Sequence, residues 1–226
     1  MILGHYGVAF AAKRAAPRTS LGTLTFAAEF LDELWPVLLL LGLERVRIVP
    51  GLMAASPLDF VHYPISHSLL TSIGWGLLFA LVYWTLTRYY TGAIVVGMGV
   101  VSHWILDAVV HRPDLPLYPG SRTLIGLGLW HSVLGTVLVE GAMFVAGVWA
   151  YASFTRPRDG VGRYALWALV LLLAVLYMSD LRSPPPPDVR TLALVALTGW
   201  LLPLWAWWID RHRVVQAEPL VPGAFA

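Results

Sequence analysis

The sequence has no cysteine, and only 12% of its 226 residues carry a charge. Without cysteine there are no disulfides, thiolate metal sites, iron–sulfur clusters or cysteine nucleophiles. Any metal must then be held by histidine nitrogen and carboxylate oxygen. So little charge excludes a disordered chain and an ordinary soluble globule, where about a quarter of residues are charged. A net charge of +2 also gives no electrostatic footprint for nucleic acid.

What the sequence has instead is apolar surface. Hydrophobic residues make up 58% of the chain, and the mean hydropathy is +0.70. The surplus must face lipid, and six spans of about 20 residues would use about 120 positions. Charge-free apolar runs bounded by Arg, Pro or Gly predict an all-α polytopic membrane bundle. Its expected elements are a short helix at about 3–16 and six spans at about 21–43, 66–87, 91–111, 127–153, 163–180 and 190–209. The short helix is expected to fold back on the first span as a hairpin. The apolar run Met1 to Ala12 precedes Lys13-Arg14, the reverse of a signal-peptide order, so it is kept in the mature chain.

Residues 1–155 read as the domain that carries chemistry, 156–213 as two scaffold spans and 214–226 as a disordered tail. Polar loops fall at 44–65 and 112–126. Lys13, Arg14, Arg18, Arg88, Arg156, Arg158, Arg163, Arg211 and Arg213 fall on one side, and the six other arginines on the opposite side. The positive-inside bias then puts both long loops outside.

Ionisable residues within spans are costly and point to function. Ser102-His103-Trp104-Ile105-Leu106-Asp107 puts His103 and Asp107 on one helix face, where imidazole and carboxylate can converge on one cation. A buried His–Asp hydrogen bond is the plain alternative. His111 either extends that face or is a solvated interfacial histidine, and the second reading is preferred. His67 opens the preceding helix from the outer side. Either Ser66 or Ser68 caps that helix. The span at 21–43 carries Glu29, Asp32 and Glu33, with Pro36 unable to bond the Asp32 carbonyl. If helix 3–16 folds back, His5 and Asp32 lie at the same depth, equidistant from the turn. Glu140 sits in mid-span and pairs with another helix, marks a proton route or stays protonated.

Gly4-His5-Tyr6-Gly7, Asp32, Ser66-His67-Ser68-Leu69, Ser102-His103 with Asp107, and Leu117-Tyr118-Pro119 together resemble the bacterial inner-membrane metal-dependent hydrolase family. That family is in turn similar to the helical zinc phospholipase C and P1 nuclease group. The sequence departs from the family's Pro-Asp-x-Asp segment, having Phe30-Leu31-Asp32-Glu33 instead. The expected site is a metal centre of His5, Asp32, His67, His103 and Asp107 near the outer leaflet. Zinc suits these ligands first, then manganese or iron. Glu29 is the candidate general base, and Arg112 is a candidate grip on an anionic headgroup or else a topology charge. The expected partners are membrane lipid and a lipid-like ester or phosphoester substrate. The rival expectation is a non-catalytic transport or structural metal site. A di-iron oxygenase or serine hydrolase fits less well, since histidine boxes and Gly-x-Ser-x-Gly are missing.

Overall fold

The computed structural model describes residues 1–216. It runs α1 (Leu3–Ala15), α2 (Leu21–Leu40), β1 (Arg45–Ile48), β2 (Leu58–His62), α3 (Leu69–Thr87), α4 (Tyr90–Val110), β3 (Leu115–Pro116), β4 (Leu124–Ile125), α5 (Val133–Phe154), β5 (Thr155–Pro157), α6 (Gly160–Asp180), α7 (Val189–Ala196), α8 (Leu201–Arg211) and β6 (Arg213–Val215). Short 3-10 turns at Leu129–His131 and Leu197–Trp200 precede α5 and α8.

Short polar residues start the helices. The side chains of Ser20, Ser68, Ser132, Asp159 and Asp188 each accept a hydrogen bond from the backbone N–H three residues on. Ser68, not Ser66, therefore caps α3.

Among the described residues, five helical segments are long and apolar enough to cross a membrane: α3, α4, α5, α6 and the α7–α8 run Val189–Arg211. The expected sixth, α2, is not one of them. It carries Glu29, Asp32 and Glu33 and is buried along most of its length by the other helices. Burial against protein is what lets it hold three acids. The hairpin expectation also changes. α1 packs on α2, but it also runs parallel to α5, from Ile2 beside Glu140 to Arg14 beside Ser153. A Cβ on Gly7 would lie 2.6 Å from the Met143 carbonyl oxygen, so only glycine allows that approach. Gly76 and Gly97 meet likewise between α3 and α4.

The loops contain more structure than expected. Antiparallel β1–β2 and β3–β4 pairs lie within 44–65 and 112–126. Val214 and Val215, expected in the tail, instead pair with Arg156 and Thr155 of β5. Residues 217–226 of that tail lie outside the described residues.

At the end of the bundle away from β1–β4, ionic and polar contacts tie the helices together. Lys13 Nζ lies 2.6 Å from Asp210, which also accepts from Tyr151 and the Leu21 N–H. Arg213 donates to Thr155 and to the Gly162 carbonyl. The predicted basic side gathers here. The opposite end holds the side chains described next.

Candidate functional site

Helical periodicity builds one wall. In α4, Val96, Val100, His103 and Asp107 share the buried face, so the two polar groups are directed into the bundle. His5 reaches them from α1, Asp32 from α2, and His67 from the residue before the α3 cap. His103 Nε2 is 3.2 Å from Asp107 Oδ2 and 3.6 Å from Asp32 Oδ1. His67 Nε2 is 3.3 Å from Asp32 Oδ1 and 3.6 Å from Asp107 Oδ2. His5 Nε2 is 3.2 Å from Asp107 Oδ1, and its ring stacks on His103 with centroids 3.7 Å apart. All five expected residues thus meet. They form two overlapping groups, His5–His103–Asp107 and Asp32–His67–His103, each with ligand-type atoms within 4.8 Å of one another.

For His103, His67 and His111 a partner on the far side of the ring holds the Nδ1 proton. His103 Nδ1 is 2.7 Å from the Ala28 carbonyl oxygen, a pure acceptor, so Nδ1 carries a proton and the ring is held with Nε2 facing the two carboxylates. His103 Nε2 is buried and has no hydrogen-bond partner. Ser66 Oγ donates to Glu44 Oε2 at 2.6 Å and so accepts from His67 Nδ1 at 2.7 Å. Glu44 also accepts the Ile65 and Ser66 N–H groups, both at 2.8 Å. His111 Nδ1 donates to Asp114 at 2.9 Å, leaving its Nε2 3.9 Å from Asp107 Oδ2. Tyr63 donates its hydroxyl to the same Asp114 oxygen at 2.9 Å. Burial and the Asp114 carboxylate raise the Tyr63 phenol well above its usual range, so it remains a donor.

His111 is buried, only 2% exposed, which corrects the expectation of a solvated interfacial residue. Its spacing of four from Asp107 was the signal. Glu44 had no sequence signal, since 21 residues and a β hairpin separate it from Ile65. Glu140 accepts from the backbone N–H groups of Ile2 and Gly4, at 2.7 and 3.4 Å, and so anchors the start of α1. The α-amino group of Met1 lies 2.5 Å from Asp107 Oδ1.

A cavity of about 310 Å³ opens onto this cluster. Asp32, His67, Asp107 and His111 line its polar part, and Glu29 lines it too, with Oε1 buried and lacking any partner. Asp180 of α6, with Leu192 and Ala196 of α7, lines it too, so the C-terminal helices shape the cavity. Arg112 is not in that lining. Its guanidinium bonds Asp59 and Asp114 in a separate outer cleft shared with Arg47.

Comparison with known proteins adds the family. The chain is 25% identical over 155 residues to the xylose transport system permease protein XylH of Haemophilus influenzae. That match covers 62% of this chain and spans only 40% of the permease. No solved structure matches the chain. The profile of the YdjM inner membrane protein family matches residues 2–183. That match and the apolar helices make the chain an integral inner-membrane protein that belongs to the YdjM inner membrane protein family.

Proposed function

We propose that this protein is a membrane-embedded metal-dependent hydrolase acting on an ester or phosphoester bond of a lipid-like substrate. The observation that carries the reading is the convergence of His5, Asp32, His67, His103 and Asp107, with the proton of two of the imidazoles held on Nδ1. The donor set fits a divalent cation. It offers borderline nitrogen and hard oxygen, the buried His103 Nε2 has no hydrogen-bond partner, and outer groups orient the rings as in metal sites generally. Zinc is the first choice, with manganese or iron next.

A bound zinc would supply Lewis acidity and make water a stronger acid. The chain's own residues would do the rest. Asp32 and Asp107 balance the cation's charge. The Ala28 carbonyl and Ser66–Glu44 hold the rings of His103 and His67. Glu29 takes a proton from the attacking water as the new oxygen bond forms, and returns it to the ester oxygen as that bond breaks. Arg112 acts at a distance: it holds Asp114, which holds His111. The nine basic residues gathered at the opposite end of the bundle support an outward-facing site.

A second reading is a transport protein that uses the same cluster as a cation path or clamp, and the likeness to a sugar permease favours it. Metal analysis of purified protein, followed by turnover on phospholipids and lipid phosphates, separates the two. The hydrolase reading expects bound metal with turnover. It also expects His103→Ala and Asp107→Ala each to lose most of the metal while staying folded. Full metal occupancy in both variants would remove these residues from the centre. Bound metal without turnover would favour transport.

A further inference from the structure

The outer cleft carries cations that the His/Asp centre does not use directly. Loops 44–65 and 112–126 hold four arginines, Arg45, Arg47, Arg112 and Arg122, against three carboxylates, Glu44, Asp59 and Asp114. All three carboxylates are buried, and Glu44 is turned inward to accept from Ser66. The surface these loops present is therefore cationic.

Two of the arginines are fixed in place. The β1–β2 pairing sets Arg47 opposite Asp59. Arg47 Nε and Nη2 both donate to Asp59 Oδ2, at 2.8 and 2.5 Å. Arg112 Nη2 donates to Oδ1 of the same carboxylate, and its Nε donates to Asp114 Oδ2 at 3.3 Å. The backbone of Arg112 is fixed as well. A Cβ on Gly126 would lie 2.0 Å from the Arg112 carbonyl oxygen, so only glycine passes there. One carboxylate thus holds two guanidiniums side by side, where their like charges alone would part them.

The order of burial decides which groups the cleft meets. The Asp59 and Asp114 side chains are each 6% exposed, that of Arg112 34% and that of Arg47 70%. The acids lie beneath, and the N–H groups lie on top. A guanidinium has donors on all three of its nitrogens. Among the described residues neither Arg47 Nη1 nor Arg112 Nη1 has a hydrogen-bond partner. Both residues line a cleft of about 530 Å³, with His62 exposed at its rim. Donors already held in position bind a ligand at less ordering cost, and the planar fork matches phosphate oxygens. Val61 and Leu124, both exposed, give the cleft an apolar edge. The cleft shares Phe60 with the cavity, and Arg112 bonds the carboxylate that orients His111, so the two openings adjoin.

We propose that this cleft is a second binding site, for a phosphate-type anion gripped by Arg47 and Arg112 with His62 at the rim. A lipid head group or free phosphate would supply that anion, and the apolar edge favours the lipid. Such a site needs no hydrolytic chemistry beside it, so it stands or falls apart from the hydrolase reading.

Calorimetry on full-length protein in an uncharged detergent tests this with three probes: dihexanoyl phosphatidic acid, inorganic phosphate and dihexanoylglycerol, the same lipid without its phosphate. Phosphatidic acid is expected to bind saturably, and dihexanoylglycerol is not. Arg47→Gln is expected to weaken phosphatidic acid about tenfold or more without changing zinc content. Arg47→Lys keeps the charge but loses the fork, and is expected to restore only part of the affinity. Arg47 is largely exposed and Asp59 keeps its bond to Arg112, so both variants should fold. His103→Ala, expected to lose zinc, should still bind the anion. Unchanged affinity in Arg47→Gln would overturn the proposal, as would loss of binding in His103→Ala alone, which puts the anion on the metal. Absence of saturable binding by both phosphate probes would also overturn it. Tighter binding of phosphatidic acid than of inorganic phosphate supports the lipid source, and equal binding overturns that source in favour of free phosphate.

Discussion

Ser66→Ala removes one oxygen and tests how the site is held. Ser66 Oγ makes two buried bonds, donating to Glu44 Oε2 at 2.6 Å and accepting from His67 Nδ1 at 2.7 Å. Its loss leaves the imidazole N–H and one carboxylate oxygen unpaired, while Glu44 keeps its two backbone donors. A hydrogen bond to a charged group contributes about 1.5–3 kcal/mol, so the fold should survive with a lower thermal midpoint. The larger effect falls on His67, whose Nδ1 proton is no longer held. Loss of an outer partner to a metal-ligating histidine typically weakens metal binding about 10–100-fold. At about 1.4 kcal/mol per decade this is about 1.4–2.8 kcal/mol. Competition of zinc against a chromogenic chelator reads it directly. Glu44→Gln adds a sharper test with almost no change in volume. An amide N–H facing Ser66 reverses the hydroxyl, which then donates to Nδ1 and drives the proton to Nε2, toward Asp32. Zinc affinity within about twofold of the parent in both variants would refute the relay.

Three further outcomes follow from contacts away from the cluster and from its mouth. Asp210→Ala leaves Lys13 as an unpaired buried cation, which should cost about 3–5 kcal/mol, and Lys13→Met should recover part of that in the double variant; thermal denaturation of all four proteins checks this. Asp159 caps α6, and its bonds to the Gly162 N–H and His212 hold its carboxyl below the usual range. A folded-state pKa below the unfolded one contributes stability above the unfolded value and loses it as pH falls through the folded value. Asp159→Ala should therefore lower the thermal midpoint at neutral pH, with the gap closing below the ordinary carboxylate range; a pH-independent gap would contradict this. Trp130→Ala, which removes an aromatic wall from the cavity and the ring 4.4 Å by centroid from His111, should lower the thermal midpoint, read by thermal denaturation, while leaving zinc content unchanged.

The cluster was legible because its spacing lies on single helices. His103 and Asp107 are four apart, and helical geometry alone puts them on one face. The membrane sharpened the signal, since an acid in an apolar helix needs a reason. Glu44, Tyr63 and Asp114 were not legible because they sit in loops 44–65 and 112–126, where no periodicity links sequence distance to spatial distance. The pairing Glu44–Ser66–His67 exists only once β1 and β2 fold back on each other. His111 shows the middle case. Its spacing from Asp107 was visible, but its burial depended on Trp130 and Phe60, which lie 4.4 and 4.7 Å from its ring by centroid.

The span count went wrong for a reason that also explains the site. α2 was read as a sixth membrane span from its length and apolar content, yet three acids fall within five residues of it. Lipid could not hold them, and the bundle does so by surrounding α2. α4, α7 and α8 pack on it as well as α1, and its acids look into the interior. A helix too acidic to face lipid becomes the axis of the bundle. Its Ala28 carbonyl then orients His103, its Asp32 faces two imidazoles, and its Glu29 and Glu33 line the cavity. The break in the last span fits the same logic. The 3-10 turn at Leu197–Trp200 brings Gly199 against the Glu33 carboxylate, where a Cβ would lie 3.2 Å from Oε1, and the Trp200 indole donates to the Glu33 carbonyl at 3.1 Å. Shielding of α2 by small residues and an irregular turn keeps its carboxylates out of lipid while leaving them open to the cavity.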